Sequence, residues 1–157
     1  MNQSLRSGFS FGLTSGIITT LGLMVGLHSG THSKTAVIGG ILVIALADAF
    51  SDALGMHISE ESENEHTTRE IWESTLSTLF AKFFFAMKFA FPVLLLPLYE
   101  AIITSVLWGM LLLLTLSVYI ARSQKKSTLK VASEHIVIAL LVLAGAHYIG
   151  DVVASIS

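Results

Sequence analysis

The sequence predicts an all-α, polytopic membrane protein with five transmembrane helices and a short cytoplasmic acidic helical segment. Three observations lead there. Charged residues make up 13 % of the chain and hydrophobic ones 53 %, whereas soluble domains carry roughly 25 % charge. So little charge cannot cover a globule in water, and the mean hydropathy is +0.75. The 157 residues also contain five apolar stretches near the length of about 20 residues that crosses a bilayer. Finally, Lys and Arg gather on one side of the topology those stretches imply. The length fits a single domain over 1–157.

The first span is expected over 9–27, FSFGLTSGIITTLGLMVGL. After Arg6 this run is too long and too rich in Gly and Thr for the apolar core of a signal peptide, so it is expected to remain as a helix. Gly8, Gly12 and Gly16 recur at spacing four, with Gly22 and Gly26 beyond. Small residues at that spacing let helix backbones approach closely in lipid; a glycine face could also line a narrow pore at a dimer axis. The second span is expected over 35–58 and runs into a polar segment, 59–79. The apolar block from Phe80 to Ile120 has 41 residues. As one helix it would be about 60 Å long, twice the hydrocarbon thickness of about 30 Å. It must therefore fold back, and Pro97, Leu98, Tyr99 and Glu100 mark the turn. That gives spans over 80–98 and 101–120. A basic loop, 122–130, precedes the fifth span over 132–154.

With the N-terminus inside, the inner side holds Arg6, Arg69, Lys82, Arg122, Lys125, Lys126 and Lys130, and the outer side only Lys34; Lys88 falls within the third span. The bias places the N-terminus in the cytoplasm and the C-terminus outside, in the cell membrane for a prokaryotic protein. The segment 59–79 is then cytoplasmic. A net charge of −2 without a basic stripe excludes nucleic acid as a partner. The absence of cysteine removes disulfides, thiolate metal sites and thiol redox chemistry. No G-x-S-x-G, P-loop or H-E-x-x-H pattern occurs, so neither an enzyme nor a resident cofactor is expected.

The chemistry concentrates in IALADAFSDALGMHISEESENEH, residues 44–66. Asp48 and Asp52 are i, i+4 neighbours on one helix face, inside a segment bound for lipid. Each acid there costs on the order of 2.5–3.5 kcal/mol on insertion scales, and the two repel each other. A cation reverses the balance, because two carboxylates offer up to about four hard oxygen ligands. Gly55 and Ser59 continue the stripe, Glu63 lies near it, and Met56 sits at its edge. A thioether suits later transition metals. Glu60, Glu61, Glu63, Glu65, Glu70 and Glu73 with His66 extend the stripe into a carboxylate-rich mouth that would concentrate cations. The expected metal set is Asp48 and Asp52 within the membrane, Met56 as soft ligand, and Glu60, Glu63, Glu70 and Glu73 as collectors. Iron(II), manganese(II), cobalt(II) and zinc(II) all fit such a set, and affinity order alone does not choose among them. Two other readings remain: a non-transporting scaffold or sensor whose acids pair with Lys88, and a carrier of protons or an organic solute. His28 and His32, expected in the outer loop, could bind a metal if that turn were helical; His147 is placed to meet Asp151 at i+4.

Four stretches together resemble the vacuolar iron transporter family: GFSFGLTSGIITTLGLMVGL, ADAFSDALGMHISEESENE, FPVLLLPLYE and GAHYIGDVV. They are similar to that family's Gly-rich opening helix, its second-helix pattern running into an acidic tail, its proline-bearing third helix and its closing Gly-Ala-x-x-Tyr-x-Ile-Gly signature. The resemblance implies a homodimer of five-helix protomers, with an ion path between the first two helices around the two-fold axis. It also implies export of iron(II) or manganese(II) from the cytoplasm in exchange for protons. Phe11 stands where the family usually has Asp, Asp52 where it has Met, Met56 where it has Glu, and Asp48 where it has a small residue. The stretch keeps the family's route and redistributes its ligands.

Overall fold

The computed structural model describes residues 3–156. Its helices are α1 (Gln3–Thr31), α2 (Lys34–Val43), α3 (Ala49–Glu63), α4 (Thr68–Lys88), α5 (Ala90–Leu95), α6 (Leu98–Ser123) and α7 (Thr128–Ile156). A π-helical turn, Ile44–Asp48, joins α2 to α3 without a break. Five helical stretches are long and apolar enough to cross a membrane: Gln3–Thr31, Lys34–Glu63, Thr68–Leu95, Leu98–Ser123 and Thr128–Ile156. Only a helix satisfies every backbone group within its own segment, as hydrocarbon demands. Phe50, Leu54, Phe84, Leu141 and many other large apolar side chains are exposed; a bilayer can cover them and water cannot.

The helices are longer than the expected spans, for local reasons. The acidic stretch 59–79 is not a separate segment. Residues 59–63 end α3 and residues 68–79 begin α4. The break falls at Asn64, whose φ of 55° ends α3 in the left-handed conformation. Thr67 then caps α4: its hydroxyl accepts from the Glu70 backbone N–H, and the Glu70 carboxylate accepts from the Thr67 N–H. The fold-back is tighter than expected as well. Leu98, Tyr99 and Glu100 are the first turn of α6 rather than a loop, and Pro97 is its N-cap. A second proline contributes. Pro92 cannot bond to the Lys88 carbonyl and its ring would clash with it, and α4 stops at Lys88. Finally, α1 continues to Thr31, so His28 is helical and not in a loop.

The chain divides into two compact units. The first holds residues up to Thr20 together with Ile41–Ala90. Its glycines are contact points between α1 and α4. A Cβ at Gly8 would run into the Ser74 carbonyl, one at Gly12 into the Thr78 carbonyl and, at 3.1 Å, the Ala81 methyl, and one at Gly16 would lie 3.1 Å from the Lys82 carbonyl oxygen. Three glycines four apart thus step along Ser74, Thr78 and Lys82, also four apart. The Ser77 hydroxyl donates to the Leu5 carbonyl at 2.9 Å across the same seam. The stripe is helix packing within the chain.

This contact makes a matched prediction. Gly12→Ala is expected to cost about 1–3 kcal/mol, because the added methyl meets backbone that cannot rotate away. Gly55 has nothing within 4 Å of a built Cβ, so Gly55→Ala is expected to gain up to about 1 kcal/mol of helix propensity. Thermal unfolding in detergent should move in opposite directions for the two; equal shifts would rule out the close seam.

The second unit holds Leu21–Gly40 and the residues from Phe91 onward. Gly26 and Gly30 lie against the Ala146 and Gly150 backbone. The Ser29 hydroxyl donates to Asp151, and His147 Nε2 stands 3.7 Å from the same carboxylate. Lys34 donates to the Leu94 and Leu96 carbonyls at 3.2 and 3.1 Å, satisfying acceptors left open where α5 ends. The His28 and His32 rings lie side by side, centroids 5.4 Å apart and planes tilted by 53°.

Candidate cation site

The site is built in the first unit from three helical segments. The second spanning helix brings Asp48 and Asp52. Asp48 is the last residue of the π turn, where the Ala49 N–H donates to the Ile44 carbonyl five residues back. Such wide turns are uncommon and recur at functional positions. Beyond it the helix is regular, so the two acids keep their i, i+4 relation. From α1 comes Ser15, one residue before Gly16. From α4 comes Lys82, drawn close because Gly16 lets the two backbones meet.

Lys82 is fully buried, with a relative exposure of 0 %. Its Nζ lies 2.5 Å from Asp48 Oδ2 and 2.5 Å from Asp52 Oδ2, and it donates to Ser15 Oγ at 3.0 Å. The Ser15 hydroxyl donates in turn to Asp52 Oδ2 at 2.6 Å. An ammonium has three N–H donors, and all three are engaged. The side chains of Asp48 and Asp52 remain 37 % and 21 % exposed, so the acids have an open side that the lysine lacks. One positive and two negative groups leave the cluster one charge negative.

The cation beside the acids is therefore Lys82 and not Lys88, whose ammonium lies 4.4 Å from the Phe85 ring centroid. Nor is Lys82 a marker of the inner membrane face, as its place in the topology count assumed. The sequence does carry a signal for it. Ser74, Thr78 and Lys82 repeat at the same spacing as the α1 glycines, on the face of α4 that is buried.

The remaining expected ligands fall into separate groups. Met56, Ser59, Glu60 and Glu63 line a cleft of about 300 Å³ with Gln3, Ser4, Ser7 and His66. Glu60 is buried, 6 % exposed, and its Oε2 has no hydrogen-bonding partner in the protein. Glu63 meets His66 Nε2 at 3.4 Å. Glu70 serves the α4 cap, accepting from Thr67, and Glu73 pairs with Arg69 at 2.8 Å. These last two are engaged in starting a helix. Among the described residues, no three His, Asp or Glu side chains are gathered closely enough to hold a metal ion by themselves.

Comparison with known proteins bears on this half of the chain. Residues 7–74 match the family model described as the VIT family. No curated protein and no solved structure matches the chain. The matched residues hold the α1 glycines, Ser15, both acids and the Met56–Glu60 cleft, and they end before Lys82. Over this segment, which is less than half of the chain, the protein is similar to the VIT family.

Proposed function

We propose that the protein carries divalent transition-metal ions, iron(II) or manganese(II), out of the cytoplasm through the Asp48/Asp52 site, in exchange for protons. The observation that supports this most is a pair of carboxylates held one helical turn apart within a spanning helix, each with an exposed side, in the segment that matches the family. The Met56–Glu60–Glu63 cleft is the collecting mouth. Glu60, two turns beyond Asp52, presents an oxygen without a partner, and the Met56 thioether lies between them in sequence. Carboxylates with one thioether fit iron(II), manganese(II), cobalt(II) and zinc(II) alike, and the similarity to the family puts iron(II) and manganese(II) first. The protein works as a homodimer, N-terminus cytoplasmic and C-terminus outside, and acts as a carrier rather than an enzyme. With Lys82 counted as buried, six inner cations still face one outer cation, which supports that orientation.

One observation favours a second reading. The ammonium of Lys82 is already satisfied by Asp48, Asp52 and Ser15, as a purely structural ion cluster would be. The protein would then be a membrane scaffold or sensor. Purified protein in liposomes containing a metal-quenched dye separates the two. Carrier action predicts that iron(II) or manganese(II) enters faster than into protein-free vesicles. Entry no faster than into protein-free vesicles, for either metal, would leave the structural reading standing and remove the first.

A further inference from the structure

We propose that Lys82 is a tethered cation that fills the Asp48/Asp52 site when no ion is carried, and that the transported ion binds by displacing it; this rests on the transport reading above. The ammonium contacts the oxygens a divalent ion would need, Oδ2 of both acids at 2.5 Å. With Nζ between them, a second cation has no place on those two oxygens. The stem is buried along the α1–α4 seam, its Cγ 3.5 Å from a Cβ built on Gly16. The ammonium therefore belongs to the site rather than reaching out to water, as lysines near helix ends do.

Two consequences follow from charge. Without Lys82, the empty carrier would hold two uncompensated carboxylates inside a spanning helix, which is costly. With it, the empty site is one charge from neutral. Selectivity follows too. A sodium or potassium ion brings the same single charge as the ammonium but must give up translational freedom to bind. The ammonium is attached and already present at high effective concentration, so it wins. A divalent ion brings twice the charge and draws on both carboxylates at once. Its four-carbon stem lets the ammonium leave the carboxylates while the α4 backbone stays packed. Lys82 thus sets a charge threshold that only divalent ions cross.

The test is manganese(II) binding by calorimetry on purified, detergent-solubilised protein, with and without excess sodium. If the ion-competent arrangement is a minor state of the parent, its apparent affinity is reduced by that fraction. Lys82→Gln should then bind manganese(II) about tenfold to a hundredfold more tightly. Sodium should compete in Lys82→Gln and not in the parent. Lys82→Arg keeps the charge and should bind no more tightly than the parent. Should Lys82→Gln fail to fold, Ser15→Ala decides. It removes one of the three acceptors while keeping the charge and both acids, and should tighten binding several-fold. Unchanged or weaker binding in Lys82→Gln, or in Ser15→Ala where that variant decides, overturns the proposal. So does equal tightening in Lys82→Arg. Metal binding by the parent with no tightening in the variants removes this inference alone; no metal binding by the parent or any variant removes the transport reading with it.

Discussion

The double substitution Asp48→Asn/Asp52→Asn is expected to reduce manganese(II) entry into proteoliposomes to the rate of protein-free vesicles. Each amide keeps the shape of the acid and one carbonyl oxygen, but loses the charge. At an effective dielectric constant near 20, a unit charge pair about 4 Å apart is worth about 4 kcal/mol, and the substitution removes two such charges from an ion that carries two. The same change strands the Lys82 ammonium, which is fully buried and donates to both acids. An unpaired buried charge destabilises strongly, so loss of flux in the double variant alone could mean loss of fold. The triple variant Asp48→Asn/Asp52→Asn/Lys82→Met resolves this. It exchanges the whole ion cluster for neutral groups of similar volume, a change that is often neutral or stabilising. It should unfold at or above the parent temperature and still show no manganese(II) entry. A triple variant that is folded and transports as fast as the parent would end the assignment of the acids as the ion path.

The parts of this protein that were legible in the sequence are those set by long-range averages and by stiff local chemistry. Five apolar runs announce the spanning helices because hydrocarbon penalises anything else over about 20 residues. Asp48 and Asp52 stand out because acids are expensive in such a run. What stayed hidden depends on partners. Lys82 lies in AKFFFAMKFAF, where a topology count treats any lysine as a marker of the membrane edge. Only the glycines of α1, facing α4, show that its backbone is held deep in a helix seam. The charge density of the glutamates over 60–73 suggests a collecting mouth. Yet Thr67 and Glu70 form a capping box readable from their spacing alone, and Arg69 stands four residues before Glu73. Two of those acids therefore have an ordinary use in starting α4. Glu60 is different: it lies in the last turn of α3, buried and with its Oε2 unpartnered, and nothing in its neighbours' spelling distinguishes it from Glu61 beside it. The π turn before Asp48 was equally silent, since no proline or side-chain bond marks it in the sequence.

Adding a second substitution to Lys82→Met should restore stability that the first removes. Lys82→Met leaves Asp48 and Asp52 facing each other around an apolar side chain, with Ser15 donating only to Asp52. Breaking a buried ion pair from one side costs about 3–5 kcal/mol. The partial exposure of both acids should hold the loss toward the lower end. Asp52→Asn introduced into that variant removes the repulsion while keeping an acceptor for the Ser15 hydroxyl. The double variant should therefore unfold at a higher temperature than Lys82→Met alone, although Asp52→Asn in the parent background is expected to lower it. That reversal of sign is what coupling between contacting residues produces; independent contributions would lower stability in both backgrounds. Thermal unfolding of the four proteins in one detergent, with metal removed by chelation, gives the cycle directly. Additive effects would mean that Lys82 and Asp52 do not interact as a charge pair. The same four samples with manganese(II) restored should show Lys82→Met gaining more than the parent, because a ligand stabilises in proportion to its affinity for the folded state, and in that variant two bare carboxylates await it.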